Sequence, residues 1–434
     1  MAKKPFLPAA SWALFDAANS AFPLVMTTAV FVLYFKNVVV GGDDPGQSDF
    51  LWGLSLSISA ALVAITSPFI GAVADVFGAR KRVLLAYTVL AICATMALSF
   101  AGPGMVLFAM AFYILANAGF EGGMVMYGSL LPSVATQENT GRLSGIGWGL
   151  GYIGGLVCLL LTMGWATNDQ VPTAIRFVAL WFAILSLPMF LFVPEPPKPE
   201  HTTQRPYRAL KDTILMVAQN RGLKLFFIAY LIYNDAIITV FSFSAPFATD
   251  VLHFSFKDVV LLVAGVQVTG AIGAFAFGFL SDKIGHIRTI IFSLGLWIAV
   301  TTGAFLVALD LPIWATGDPD TPFALRQNIF WVLGLLVGFT MGATQSSSRA
   351  FLAVVSPQAI SGRLFGLYAV AGRFSAVLGP LLFGAISYLT GSKAWSVLSL
   401  VVFFSVGAVL ILRVQEDSVR AELQQQSSTP QPSS

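Results

Sequence analysis

Charge is scarce in this sequence. Lys, Arg, Asp and Glu make up 10% of its 434 residues, against about 25% in a typical soluble domain, so water is not the main solvent of its surface. The formal net charge of +3 is too weak a bias to suggest a nucleic-acid partner. Cysteine is scarcer still. Cys93 and Cys158 both lie inside apolar runs, which excludes a disulfide framework and a cysteine metal cluster. His201, His253 and His286 fall in predicted loops, and none reads as a proton relay. A Gly-x-x-x-x-Gly-Lys phosphate loop and a metal-ligand cluster are both absent. That argues against ATP hydrolysis and against an enzyme, and no cofactor is expected.

Apolar residues are abundant: 56% of the chain is hydrophobic and the mean hydropathy is +0.80. A bilayer core needs about 20 apolar residues per helical span. Runs of that kind lie near 12–35, 51–74, 83–101, 105–132, 144–165 and 173–193, and again near 223–247, 257–280, 289–309, 327–352, 364–388 and 393–412. Lys3 and Lys4 precede the first run, but its length exceeds the roughly 7–15 residues of a signal sequence, and it holds Asp16 and Asn19. It reads as a permanent helix. Pro194-Glu195-Pro196-Pro197-Lys198-Pro199-Glu200 separates the two sets, and no helix crosses such a segment. Beyond it Leu210, Ile214, Val217 and Ala218 recur at helical spacing beside Arg208 and Lys211, which predicts an amphipathic helix on the membrane surface. The expected organisation is a bundle over 1–193, a linker with surface helix over 194–222, a second bundle over 223–413 and a disordered tail over 414–434.

Basic residues are unevenly shared between the loops. With the N-terminus in the cytoplasm, the inner side holds Lys3, Lys4, Arg80, Lys81, Arg82, Arg142, Arg205, Arg208, Lys211, Arg288, Arg363 and Arg413, among others. The outer side and its helix ends hold Lys36, Arg176, Lys257, Arg326 and Lys393, together with the acids Asp43, Asp44, Asp49, Asp318 and Asp320. The positive-inside rule then predicts both termini in the cytoplasm. Short loops and the absence of an Asn-x-Ser/Thr sequon point to a bacterial inner membrane.

The two sets of spans are repeats. Gly71, Asp75 and Gly78 recur as Gly278, Asp282 and Gly285, each 207 residues later (278 against 71, 282 against 75, 285 against 78). Gly141-Arg142-Leu143-Ser144-Gly145 recurs as Gly362-Arg363-Leu364-Phe365-Gly366, and Phe15-Asp16-Ala17 is echoed by Asn234-Asp235-Ala236. The fold class expected is an all-α membrane protein of twelve transmembrane helices in two pseudo-symmetric six-helix bundles, one recognised plan of secondary transporters.

Asp75-Val-Phe-Gly78-Ala-Arg80-Lys81-Arg82 resembles the signature loop of the major facilitator superfamily. A narrower resemblance covers most of the chain. Ser11-Trp12-Ala-Leu-Phe15-Asp16-Ala-Ala-Asn19-Ser20-Ala21 resembles the first helix of the vacuole effluxer-like family, fungal autophagy-linked amino-acid exporters and their bacterial relatives. The glycine-rich stretch from Ser144 to Gly155, Tyr233-Asn234-Asp235 and Gln345-Ser-Ser-Ser-Arg349 resemble its fifth, seventh and tenth helices. One position departs: the family's tryptophan after the first-helix Asp is Ala17 here. The resemblance implies export of small solutes, amino acids first among them.

Charges inside a bilayer cost at least about 2.5–3.5 kcal/mol each at a helix centre. Five lie within the predicted spans: Asp16, Glu121, Asp235, Arg349 and Arg373. Glu121, Asp235 and Arg373 fall near the midplane, and Asp16 and Arg349 nearer the cytoplasmic ends. Glu121 stands among Gly119, Gly122 and Gly123, where a ligand or backbone can approach; Glu121 and Asp16 are the candidate proton carriers. Arg373 is the candidate dock for a carboxylate and Asp235 for an ammonium group, a pair that suits a zwitterion. Asn234, Gln345, Trp148 and Tyr152 are the further candidates for binding. The plain alternative for all of these is helix-to-helix pairing and packing. The fifth-helix glycines read as packing. Asp75 and Asp282 are expected to meet the starts of the eleventh and fifth helices, beside Arg363 and Arg142, and so to gate access.

The function expected is therefore secondary active transport by alternating access, with export of amino acids or similar small polar solutes. The expected partners are a small-molecule substrate, coupling protons and the lipid bilayer, with no nucleic acid, in a monomer. A drug or amphiphile exporter is the alternative, which the 37 Phe would accommodate. A non-transporting membrane sensor is the rival from another class, and the chain offers no signalling domain to support it.

Overall fold

The structure, a computed structural model, describes residues 6–41, 45–168, 170–197, 205–309, 321–375 and 378–428. Lys3, Lys4, Asp43, Asp44, Lys198, Pro199, Glu200, His201, Asp318, Asp320 and the tail after 428 lie outside the described residues. A lipid-spanning chain must satisfy its backbone groups internally, so apolar runs of this length become helices. Among the described residues there is no β-strand.

The first half comprises α1 (Phe6–Asn19), α2 (Phe31–Tyr34), α3 (Pro45–Phe77), α4 (Arg80–Leu98), α5 (Val106–Ser129), α6 (Leu131–Val134), α7 (Thr140–Ala166) and α8 (Val171–Phe192), followed by α9 (Pro206–Gln219). The second comprises α10 (Arg221–Leu252), α11 (Phe256–Ile284), α12 (His286–Ala308), α13 (Thr321–Val355), α14 (Ser361–Phe374), α15 (Leu378–Thr390), α16 (Lys393–Ile411) and α17 (Glu416–Ser428). Twelve stretches among them are long and apolar enough to cross a membrane. The first span is less regular than the sequence predicts. It runs from Phe6 to Val40 and passes through π-helical turns at Phe22–Ala29 and Phe35–Val40. Pro23, at the start of the first of these, has no N–H to continue the regular ladder. Helices α14 and α15 both belong to the eleventh span, Gln358–Thr390.

By contacts the chain divides into two compact units. The first contains Met1–Leu215 and Leu352–Val370, and the second Met216–Phe351 and Ala371–Ser434. Residues 352–370, which the sequence reading assigns to the second bundle, thus pack with the first unit. In that unit α4 packs on α5, and α1 on α7 and α8; in the other, α12 and α10 pack on α16. Large apolar side chains face outward, with Leu107 82% and Leu389 80% exposed, while Asp235 is 0% exposed. That inversion of the soluble pattern is what an apolar solvent selects.

The α1–α7 seam explains the glycine-rich helix. A Cβ at Gly154 would lie 2.7 Å from Ala17 Cα, and one at Gly155 would lie 3.0 Å from the Ser20 carbonyl. Ala17, where the resembling family carries tryptophan, is the residue that lets α7 come this close.

The tail departs from expectation. Instead of disorder from 414 onward, Glu416–Ser428 is helical. Val419 and Leu423, one turn apart, are buried, and Val419 packs on Gly222. Glu422 accepts from Asn220 Nδ2 at 2.7 Å, and Glu416 pairs with His286 Nδ1 at 2.9 Å. His286 is accordingly not in a loop: it opens α12 and is buried.

Candidate functional site

At one end of the first unit, Asp75 lies near the end of α3 with a side chain that is fully buried. Its Oδ1 accepts from Gly362 N at 3.0 Å and Arg80 Nε at 2.6 Å; its Oδ2 accepts from Arg363 N at 2.9 Å and Arg363 Nε at 3.3 Å. The two amides belong to the first turn of α14, whose N–H groups have no intrahelical acceptor and carry the positive end of the helix dipole. A Cβ on Gly71 would strike the Gly362 carbonyl, so the small residues of the loop motif permit this approach. Gly366 packs instead against Ser67 and Pro68. Arg363 also donates to the Ala209 carbonyl at 2.8 Å, and Arg80 to that of Gln358. Nearby, Glu195 accepts from the Lys81 amide at 2.8 Å and caps α4. Among the other proposed gating residues, Arg142 is exposed and Asp282 half-buried.

Inside the spans of the first unit, Asp16 is buried and accepts from the Tyr127 hydroxyl at 3.1 Å. Tyr127 in turn stacks on Trp12, with ring centroids 4.3 Å apart, and its carbonyl accepts from the Trp12 indole at 3.0 Å. Trp148 and Tyr152 share a face of α7, with centroids 5.9 Å apart; the buried Tyr152 hydroxyl has no partner among the described residues. Glu121 is half-buried on α5, one turn beyond Asn117, which donates to Ser59 Oγ at 2.8 Å.

In the second unit the interior polar residues join into one network. Gln345 Nε2 donates to Asn234 Oδ1 at 3.0 Å, and Asn234 Nδ2 donates to Ser375 Oγ at 2.6 Å. This ties α13 and α10 to Ser375, the residue after α14. Asp235 Oδ2 accepts from the Gly379 amide at 2.7 Å, in the first turn of α15. Its Oδ1 is buried without a partner among the described residues. Tyr233 and Ser348 share a hydrogen bond of 2.7 Å. Arg349 is buried and Arg373 half-buried.

Asn234, Asp235 and Gln345 are thus brought together. Sequence reading missed Tyr127, Ser375, Thr239 and Gly379. A lone Ser, Thr or Gly in an apolar run carries no signal of its partner. No group of three or more His, Cys, Asp or Glu placed to hold a metal occurs among the described residues.

Comparison with known proteins agrees with this architecture. The profile of the family described as "Vacuole effluxer Atg22 like" matches residues 51–424. The chain is 27% identical over 435 residues to "Uncharacterized MFS-type transporter YxiO" of Bacillus subtilis (strain 168), covering 97% of each. It is 22% identical over 488 residues to Autophagy-related protein 22 of Coccidioides immitis (strain RS), covering 93% of this chain and 79% of that one. Among solved structures, the human organic anion transporter MFSD10 (TETRAN) matches with TM-score 0.72 at 14% identity, covering 94% of this chain and 100% of that one. The proton:xylose symporter XylE matches with TM-score 0.72 at 15% identity, covering 97% and 98%.

Proposed function

The chain belongs to the vacuole effluxer Atg22-like family, and from that premise we propose that it is a secondary transporter exporting amino acids or similar small polar solutes by alternating access, with protons as the coupling ion. One observation carries the solute class. A polar network of Asn234, Gln345 and Ser375 sits in the bilayer-spanning part of the second unit, beside an Asp235 oxygen that has no donor among the described residues. Burying such groups in an apolar setting is costly unless something uses them.

In this reading Arg373 docks a carboxylate, its planar fork matching two oxygens, and Asp235 receives an ammonium group. Asn234 and Gln345 supply neutral hydrogen bonds. Within the first unit, Trp148 and Tyr152 present an aromatic face to solute, and Glu121 and Asp16 exchange protons. Asp75 and Arg363 hold α14 to the end of α3, and release of that contact belongs to the transport cycle; Asp282 and Arg142 are the gating residues of the repeated loops. Both termini are cytoplasmic, in the inner membrane of a bacterium.

An amphiphile exporter is the second reading. It is favoured by a cavity of about 80 Å³ in the second unit, lined by Phe243, Phe247, Phe330 and Phe383 among others. A thermal-shift screen of the purified protein separates the two. A solute present at 100 times its Kd adds about 2.7 kcal/mol. Amino acids are expected to raise the melting temperature; stabilisation by amphiphiles alone would overturn the first reading.

A further inference from the structure

The two oxygens of Asp235 have unlike surroundings. Oδ2 accepts the Gly379 amide in the eleventh span. Oδ1 is buried and no donor among the described residues reaches it, nor does an ion pair join Asp235 to any of them. Asp16, its counterpart in the first half, has the Tyr127 hydroxyl as a donor. A carboxylate with one bare oxygen in a low-dielectric interior is unfavourable. Adding a proton removes the charge and turns that oxygen into a donor.

A hydroxyl lies one turn further along α10. Thr239 Oγ1 donates to the main-chain carbonyl of Asp235 at 2.7 Å and keeps its lone pairs. A Cβ on Gly379 would strike Thr239 Oγ1 and come 2.9 Å from Asp235 Oδ1, so both oxygens lie against the same glycine at the start of α15. The ionisable neighbours on the packed elements are few. They are Tyr230 and Tyr233 on α10, Arg349 on α13 and Arg373 at the end of α14. On α15 and α16 only Tyr388 and Lys393 ionise, both remote from Gly379, and α11 carries charges only at its ends.

We infer that Asp235 is a proton-binding site of the transport cycle, taking up a proton on Oδ1. Hydronium supplies it: one of its O–H bonds breaks and leaves water, an O–H bond forms on Oδ1, and the neutral acid still accepts the Gly379 amide on Oδ2. The inference rests on the transporter reading above, in which an ammonium group meets the same carboxyl. Proton and ammonium then occupy one oxygen in turn, which links solute leaving to protons entering.

Infrared difference spectra of the full chain in lipid vesicles, taken between alkaline and acidic buffer with no solute present, test this directly. The wild type is expected to gain a protonated-carboxyl C=O band that is lost in Asp235→Asn. A band set identical in Asp235→Asn and wild type overturns the inference. If Asp235→Asn does not fold, Asp235→Glu decides: moving the carboxyl by one methylene must shift the band or its titration midpoint, and an unmoved band overturns the inference. No solute takes part, so failure here is distinct from failure of the amino-acid reading.

Discussion

Asp75 Oδ2 accepts the main-chain amide of Arg363 at 2.9 Å while Oδ1 accepts that of Gly362 at 3.0 Å, so one buried side chain holds the first turn of α14. The two arginines that pair with the same carboxylate are themselves buried. Removing one partner of such a group leaves the others uncompensated, at a cost of about 3–5 kcal/mol. Asp75→Asn is therefore expected to lower the thermal midpoint of the purified protein clearly, and Arg82→Gln to leave it near wild type. Equal midpoints for Asp75→Asn and wild type would show that this contact does not hold α14.

A second prediction concerns pH and the C-terminal helix. Burial alone would raise the Glu416 carboxyl, but the His286 side chain and the amides of His286 and Ile287 more than offset it and hold the group below its ordinary value. A depressed carboxylate stabilises the fold above the unfolded-state value, and that contribution is lost as pH falls through the folded-state value. The protection of α17 amides, measured against the intrinsic exchange rate at each pH, should be high at neutral pH and fall on acidification below the usual glutamate range. Glu416→Gln should give the low protection already at neutral pH, having lost charge-assisted bonds that typically contribute about 1.5–3 kcal/mol each. High protection in Glu416→Gln would contradict the docking role.

How much of this was legible in the sequence depends on what each element rests on. The spans follow from apolar run length, and the Asp75 contact from a motif that recurs with its glycines. The π turns had Pro23 as their one local cue. Helix α17 was hidden by its Gln- and Ser-rich end. Its docking rests on Val419, Leu423 and two glutamates meeting residues about 130 and 200 positions away in sequence, and no local pattern reports that. The Asn234–Gln345–Ser375 network was foreseeable as polar residues in apolar runs, but not as a set of partners.

The α1–α7 seam gives a third prediction. Placing a tryptophan after the first-helix Asp, as Ala17→Trp, would overpack the contact with Gly154, a change that typically costs about 1–3 kcal/mol. Thermal unfolding should show the loss, whereas Ala17→Gly should cost less. A variant Ala17→Trp as stable as wild type would mean that the seam is not close-packed at this residue.

Orientation is a fourth. Cysteines introduced at Asp44 and Asp318 should react with an impermeant thiol reagent added outside cells, and cysteines at Lys198 and Arg420 should not, in a background with Cys93 and Cys158 replaced by serine. Outside labelling at Lys198 would reverse the topology drawn from the basic residues.

Counterflow tests the central claim most directly. Vesicles containing the purified protein are loaded with unlabelled mixed amino acids and diluted into labelled tracer. Wild type and Glu121→Gln are expected to accumulate tracer transiently, since exchange needs no net proton movement. Arg373→Ala should fold and fail, and Arg373→Lys should recover little because the fork geometry is lost. Accumulation of an amphiphilic probe with none of any amino acid, or transport by Arg373→Ala at the wild-type rate, would contradict the account.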